Sequence, residues 1–140
     1  MKQYPKNLKY KKYQKINNFY SKTLEKKNFI INKGNIALKS INSGKINFKQ
    51  IESCRRTIKR GLKKIGIFWI QIFTNIPIFK KSLASRMGKG KGNLFQWVAV
   101  IKKGTILFEI NNINFFKAKF ILTKSKTKLP LKTIIVKNIF

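Results

Sequence analysis

The sequence predicts an α+β fold: one compact domain in which two helices pack on mixed or antiparallel strands, with a basic N-terminal extension and a Gly/Lys-rich loop. Three observations predict it. A segment beginning at Asn47 carries apolar residues at helical spacing behind a capping signal. Short strand-like runs bounded by turn residues lie on both sides of it. Helix and strand signals interleave without the regular rhythm of a βαβ fold. No internal repeat or interdomain linker interrupts the 140 residues, a length that supplies one modest core. The expected division is a basic arm, residues 1–28, followed by the α+β domain, residues 29–140.

Each element has its own warrant. The arm is lysine-rich, punctuated by Tyr4, Tyr10, Tyr13, Phe19 and Tyr20, and has no sustained period of 2 or 3.6. It reads as a segment that orders on a partner, with Lys6, Lys9, Tyr10, Lys11, Lys12 and Tyr13 as candidate contacts. A purely solvated tail is the plainer reading, but aromatics are sparse in such tails and can stack on bases. From Phe29 to Ile46, apolar stretches broken by Gly34 and Gly44 suggest two short strands. The helix then opens with Asn47 as cap and Gln50 completing a capping box, and Gly66 is placed to end it. Ile51, Cys54, Ile58, Leu62 and Ile65 form its core stripe, while Lys49, Arg55, Arg56, Lys59, Arg60 and Lys63 form a basic ridge. Glu52 can pair with Arg55 and Arg56, which leaves the ridge strongly positive.

After the helix, Ile67–Phe73 reads as a mostly buried strand, and Trp97–Ile110 as a hairpin turned at Lys103 and Gly104. Trp69 and Trp97 lie in these apolar patterns and are assigned to strand packing rather than base stacking. A second helix is expected from a cap at Asn114 towards Pro130, with Phe116, Phe120 and Ile121 facing inward. The run Leu131–Lys137 supplies a last strand.

Charge and missing residues narrow the function. Lys and Arg number 33 against 3 acidic residues, a net charge of +30 that calls for a polyanion, nucleic acid above all. There is no His, the carboxylates are Glu25, Glu52 and Glu109, and Cys54 is the single thiol. Neither an acid–base pair nor a zinc site can be assembled from that set, and an intramolecular disulfide is excluded. Neither a cofactor nor a catalytic residue is expected. The most apolar run, Ile65–Phe73, is too short to span a bilayer as a helix.

Between the strands lies Ser85–Asn93, SRMGKGKGN. It fails the Walker pattern because Asn93 stands where the second glycine is needed, and the dinucleotide pattern because the third glycine is missing at the same place. What remains is a loop whose glycines permit close approach while Arg86, Lys89 and Lys91 neutralise phosphates. Composition alone balances this against a surface loop with incidental lysines.

A resemblance breaks the balance. The loop Arg86, Met87, Gly88, Lys89, Gly90, Lys91, Gly92, followed by Trp97-Val98-Ala99, resembles the signature of bacterial-type large-subunit ribosomal protein sixteen. Gln50, Ile51, Glu52, Arg55 and Arg56 match its helix motif, and Leu129, Pro130, Lys132 and Thr133 its closing strand. The resemblance implies a structural constituent of the large subunit, bound to large-subunit rRNA near the aminoacyl-tRNA site. It implies that the loop points towards the peptidyl-transferase region, positioning tRNA and completing assembly beside neighbouring ribosomal proteins. Departures exist: the approach to the loop keeps Pro77 but has Lys81 and Ser82 further on, and the second helix is aromatic and basic where the family is alanine-rich.

Abundant Lys, Asn, Ile and Phe, with four arginines confined to the helix and loop, suggest an A+T-rich genome. On that bias, and without a presequence signature, the expectation is a mitochondrion-encoded protein of the mitochondrial matrix, with a plastid-type organelle or a bacterial cytoplasm as alternatives. The alternative function is a free basic RNA-binding protein or RNA chaperone outside the ribosome.

Overall fold

Residues 4–10, 12–14, 24–63, 65–88 and 90–138 are described by a computed structural model. Apolar alternation and capping place strands β1 (Ile36–Ser40) and β2 (Gly44–Asn47), helix α1 (Phe48–Leu62), strands β3 (Ile67–Ile70), β4 (Ile76–Lys80), β5 (Asn93–Ile101) and β6 (Ile106–Asn111), helix α2 (Phe115–Lys126) and strand β7 (Thr133–Lys137). Two antiparallel sheets result, one ordered β3-β6-β1-β7 and the other β2-β5-β4. The helices pack on them and on each other around one apolar cluster, in which Ile51, Cys54, Ile58 and Leu62 of α1 meet Leu38, Phe108, Ile121 and Leu122. The α+β class with two helices on antiparallel sheets is therefore the observed one.

The first helix forms as its sequence dictates. Gln50 Oε1 accepts a hydrogen bond from the Asn47 N–H at 2.9 Å, closing the capping box. Its far end differs from expectation, because the helix stops at Leu62 and Lys63 takes φ 56°. The chain turns there, before Gly66 is reached. Ile65 consequently leaves the helical stripe and is 66% exposed rather than buried.

The predicted hairpin from Trp97 to Ile110 does not form. Residues 102–105 do turn the chain, with Gly104 at φ 88°, but β5 and β6 enter different sheets. Each is an interior strand with both edges occupied, β5 by β2 and β4, and β6 by β3 and β1, so neither has an edge to offer the other. The true hairpin is β4–β5, which the sequence obscures because Pro77 stands second in β4. Pro77 is tolerated because β4 is the edge strand of its sheet. The strand after α1 is shorter and less buried than predicted: Ile67 is half exposed, and the regular strand ends at Ile70, with one further bond from the Gln71 N–H to the Leu107 carbonyl. In α2 the inward face is Ala118, Ile121, Leu122 and Ser125, so Ile121 is placed as predicted, whereas Phe116 and Phe120 point to solvent. The final strand is where the sequence puts it, paired with β1.

One buried polar group organises a segment that has no regular structure. Glu109, on interior strand β6, is 1% exposed, and its carboxylate accepts hydrogen bonds from the N–H groups of Asn32, Lys33 and Gly34 at 3.3, 2.8 and 3.0 Å. These three donors satisfy the buried carboxyl group and fix the entry into β1.

Candidate nucleic-acid interface

Burying the apolar stripe of α1 forces its remaining positions outward. Lys49, Arg56, Lys59 and Arg60 are exposed on the helix, Lys63 is exposed just past its end, and Arg55 is half-buried beside them. Arg55 is held by a two-pronged contact with Glu52, Nε to Oε2 at 2.8 Å and Nη2 to Oε1 at 2.6 Å, while Arg56 Nε reaches Oε1 at 3.2 Å. These bonds, the Arg55 contact first, hold the Glu52 carboxyl at about 2, well below its ordinary value, and raise Arg55 further. A single carboxylate thus orients two guanidinium groups and leaves six cations with one compensating charge. The ridge borders a shallow groove lined by Lys49, Glu52, Arg56, Thr57 and Arg60. Cys54, on the opposite face, is buried, and that burial pushes its thiol up to about 12, so it supplies no nucleophile at neutral pH.

The segment 81–92 connects the paired strands β4 and β5, whose last partners are Lys80 and Asn93. Arg86, Met87, Gly88, Gly90 and Lys91 are all exposed, and Met87 makes no buried contact at 101% exposure. Gly88 and Gly90 sit at φ 99° and 81°, conformations that a side chain would strain. Gly92 has another reason: a Cβ there would lie 2.5 Å from the Lys80 backbone. Lys81 Nζ donates to the Gly88 carbonyl, tying the loop to its base. Lys91 turns back, its ammonium 4.5 Å from the Phe79 ring centroid. Lys89 lies outside the described residues, as does Lys11 of the arm.

Other arm residues lie against the same sheet. Tyr4 stacks on Trp97 at 6.1 Å between centroids, Lys9 sits 5.5 Å from the Tyr10 ring, and Lys12 Nζ donates to the Lys91 carbonyl at 3.4 Å. Lys6 and Tyr13 are exposed, and Tyr13 lines a cavity of about 730 Å³ with Phe79, Lys81, Lys91 and Gly92. The structure therefore brings the arm and the loop base together, while α1 carries its ridge as a separate surface. Sequence reading missed Lys81 and the cavity, because both depend on the β4 pairing. It also missed a groove between α1 and α2, because Phe120 was assigned inward.

The chain thus presents two cationic surfaces, a ridge of one sign on a packed helix and, apart from it, a glycine-bearing hairpin loop with exposed Arg86 and Lys91. The family model described as Ribosomal protein L16p/L10e matches residues 5–136. The chain belongs to this family. It is 42% identical over 135 residues to the large ribosomal subunit protein uL16 of Buchnera aphidicola subsp. Cinara cedri, with 96% of each chain covered. Identity to the same protein of Carsonella ruddii is 46% over 133 residues, covering 95% and 96% of the two chains. For Kosmotoga olearia it is 45% over 132 residues, covering 94% and 92%.

Membership of this ribosomal protein family makes the role a non-enzymatic one. Among the described residues no group of His, Cys, Asp or Glu could hold a metal ion, and no helix is long and apolar enough to cross a membrane. The expected mitochondrial compartment is overturned: these relatives are bacterial, which favours the bacterial cytoplasm. The inference failed because residue usage reports nucleotide bias, which a bacterial genome can share with an organellar one.

Proposed function

We propose that this chain is a constituent of the large ribosomal subunit, seated on large-subunit rRNA near the aminoacyl-tRNA site beside neighbouring ribosomal proteins. There it helps position tRNA and complete subunit assembly. The observation that carries the reading is the one-signed ridge of α1, fixed on a rigid core and backed by Glu52, in a chain of this family. Lys49, Arg55, Arg56, Lys59, Arg60 and Lys63 anchor RNA backbone by counterion release, and the arm lysines add to it. Arg86, Lys89 and Lys91 are the contacts towards tRNA, carried by the hairpin β4–β5.

The charge and the ridge also support a second reading, a free basic RNA-binding protein or RNA chaperone, since both roles need the same cations. Sedimentation of a lysate in a high-salt gradient separates them. Retention in the large subunit is the expected result; release into light fractions from an intact subunit would establish the free form. Within the particle, the combined Arg86→Ala, Lys89→Ala and Lys91→Ala variant is expected to incorporate normally and to impair tRNA accommodation. Equal loss of both would reduce the loop to an anchor.

A further inference from the structure

The groove between α1 and α2 surrounds an aromatic ring with cations. Gly61 lets the helices approach, because a Cβ there would come within 2.7 Å of Ile121 Cγ1. The groove has a volume of about 340 Å³ and is bordered by Arg60, Lys117, Phe120 and Lys124. Phe120 is 60% exposed, and Lys124 Nζ lies 4.2 Å from its ring centroid. The helix α2 carries Lys117, Lys119, Lys124 and Lys126 and no carboxylate. An apolar protein surface would satisfy the ring but leave these charges unanswered. A polyanion with flat apolar faces satisfies both.

The position of the groove agrees with that chemistry. It shares Thr57 and Arg60 with the groove that follows the α1 ridge, so a strand tracking the ridge runs into it without leaving the surface. We propose that the α1–α2 groove binds an unpaired RNA nucleotide, its base stacked on Phe120 and its flanking phosphates held by Arg60, Lys117 and Lys124. The proposal rests on the RNA-binding reading of the ridge and adds to it a preference for unpaired over paired RNA. On binding, the Lys124 ammonium leaves the ring for a phosphate and the base takes its place. A duplex keeps its bases stacked within itself and gains nothing from the ring.

The test uses the full chain and two fluorescent RNAs of equal phosphate number, a single-stranded uridine oligomer and a self-complementary duplex, followed by anisotropy at fixed salt. Phe120→Ala is expected to weaken single-strand binding about tenfold, the scale of one lost base–aromatic stack, and to leave duplex binding unchanged. Phe120→Trp should retain the preference. Duplex affinity and far-UV circular dichroism report whether the variants are folded. Unchanged single-strand affinity in Phe120→Ala, or full rescue by Phe120→Leu, overturns the stacking site. In either case the ridge reading stands if Arg56→Ala weakens both probes; a wild-type chain that binds neither probe removes both readings together.

Discussion

Gly104 turns the chain between the two sheets at φ 88°, and its amide donates to the Ser40 carbonyl at 2.9 Å. A Cβ there would meet two atoms of the Phe29 ring at 3.0 Å, while Phe29 itself lies under the Lys39 ammonium. Gly104→Ala therefore combines backbone strain with a crowded contact and is expected to cost about 1–2 kcal/mol, measured by urea denaturation. The turn was legible in the sequence because Lys-Gly between two apolar runs signals one. Glu109 was not. A glutamate set in the continuous apolar run Ile106–Ile110 has no partner visible in sequence, and only the return of residues 32–34 over β6 supplies the three amides that receive it in the interior.

At the scale of elements, α1 was legible and α2 only in outline. In α1 the apolar stripe, the capping box and the Glu52 pairs agree, and each is found as predicted up to Leu62. In α2 large apolar residues occur on both faces, and size misleads: the small Ala118 and Ser125 are buried along with Ile121 and Leu122 where the neighbouring helix lies close, while the larger Phe116 and Phe120 are exposed. The Glu52 network gives α1 a pH dependence of definite sign. Its carboxyl has a folded value of about 2 against an ordinary 4.5. Its contribution is therefore fully present above the ordinary value and is lost as pH falls through the folded one. The stability difference between wild type and Glu52→Gln should be constant near neutrality and shrink between about pH 4.5 and 2. Denaturation midpoints across that range test it; a difference that persists unchanged at low pH would rule out the ion pairs as its source.

For the molecule as a whole, the net charge of +30 predicts that the proposed RNA binding is steeply dependent on salt. Each ridge cation that contacts a phosphate should lower the slope of log affinity against log salt by about 1 when replaced by alanine. Filter binding of an rRNA fragment between 50 and 200 mM salt, comparing wild type with Arg56→Ala and Lys59→Ala, reads this directly; unchanged slopes would place the ridge away from the backbone. Most strands were legible, but their partition into two sheets was not, since alternation marks a strand and says nothing of which neighbours it will find. That partition governs the order in which the chain can fold as it is synthesised. The sheet β2-β5-β4 has all its strands once Ile101 has emerged. Strand β1, among the first made, stays open on one side until Thr133–Lys137 arrives to pair with it. The strands β3, β6 and β1 can pair once Asn111 has emerged, but this sheet is completed only by β7, and until then the exposed edge of β1 is open to chaperones or to a wrong partner.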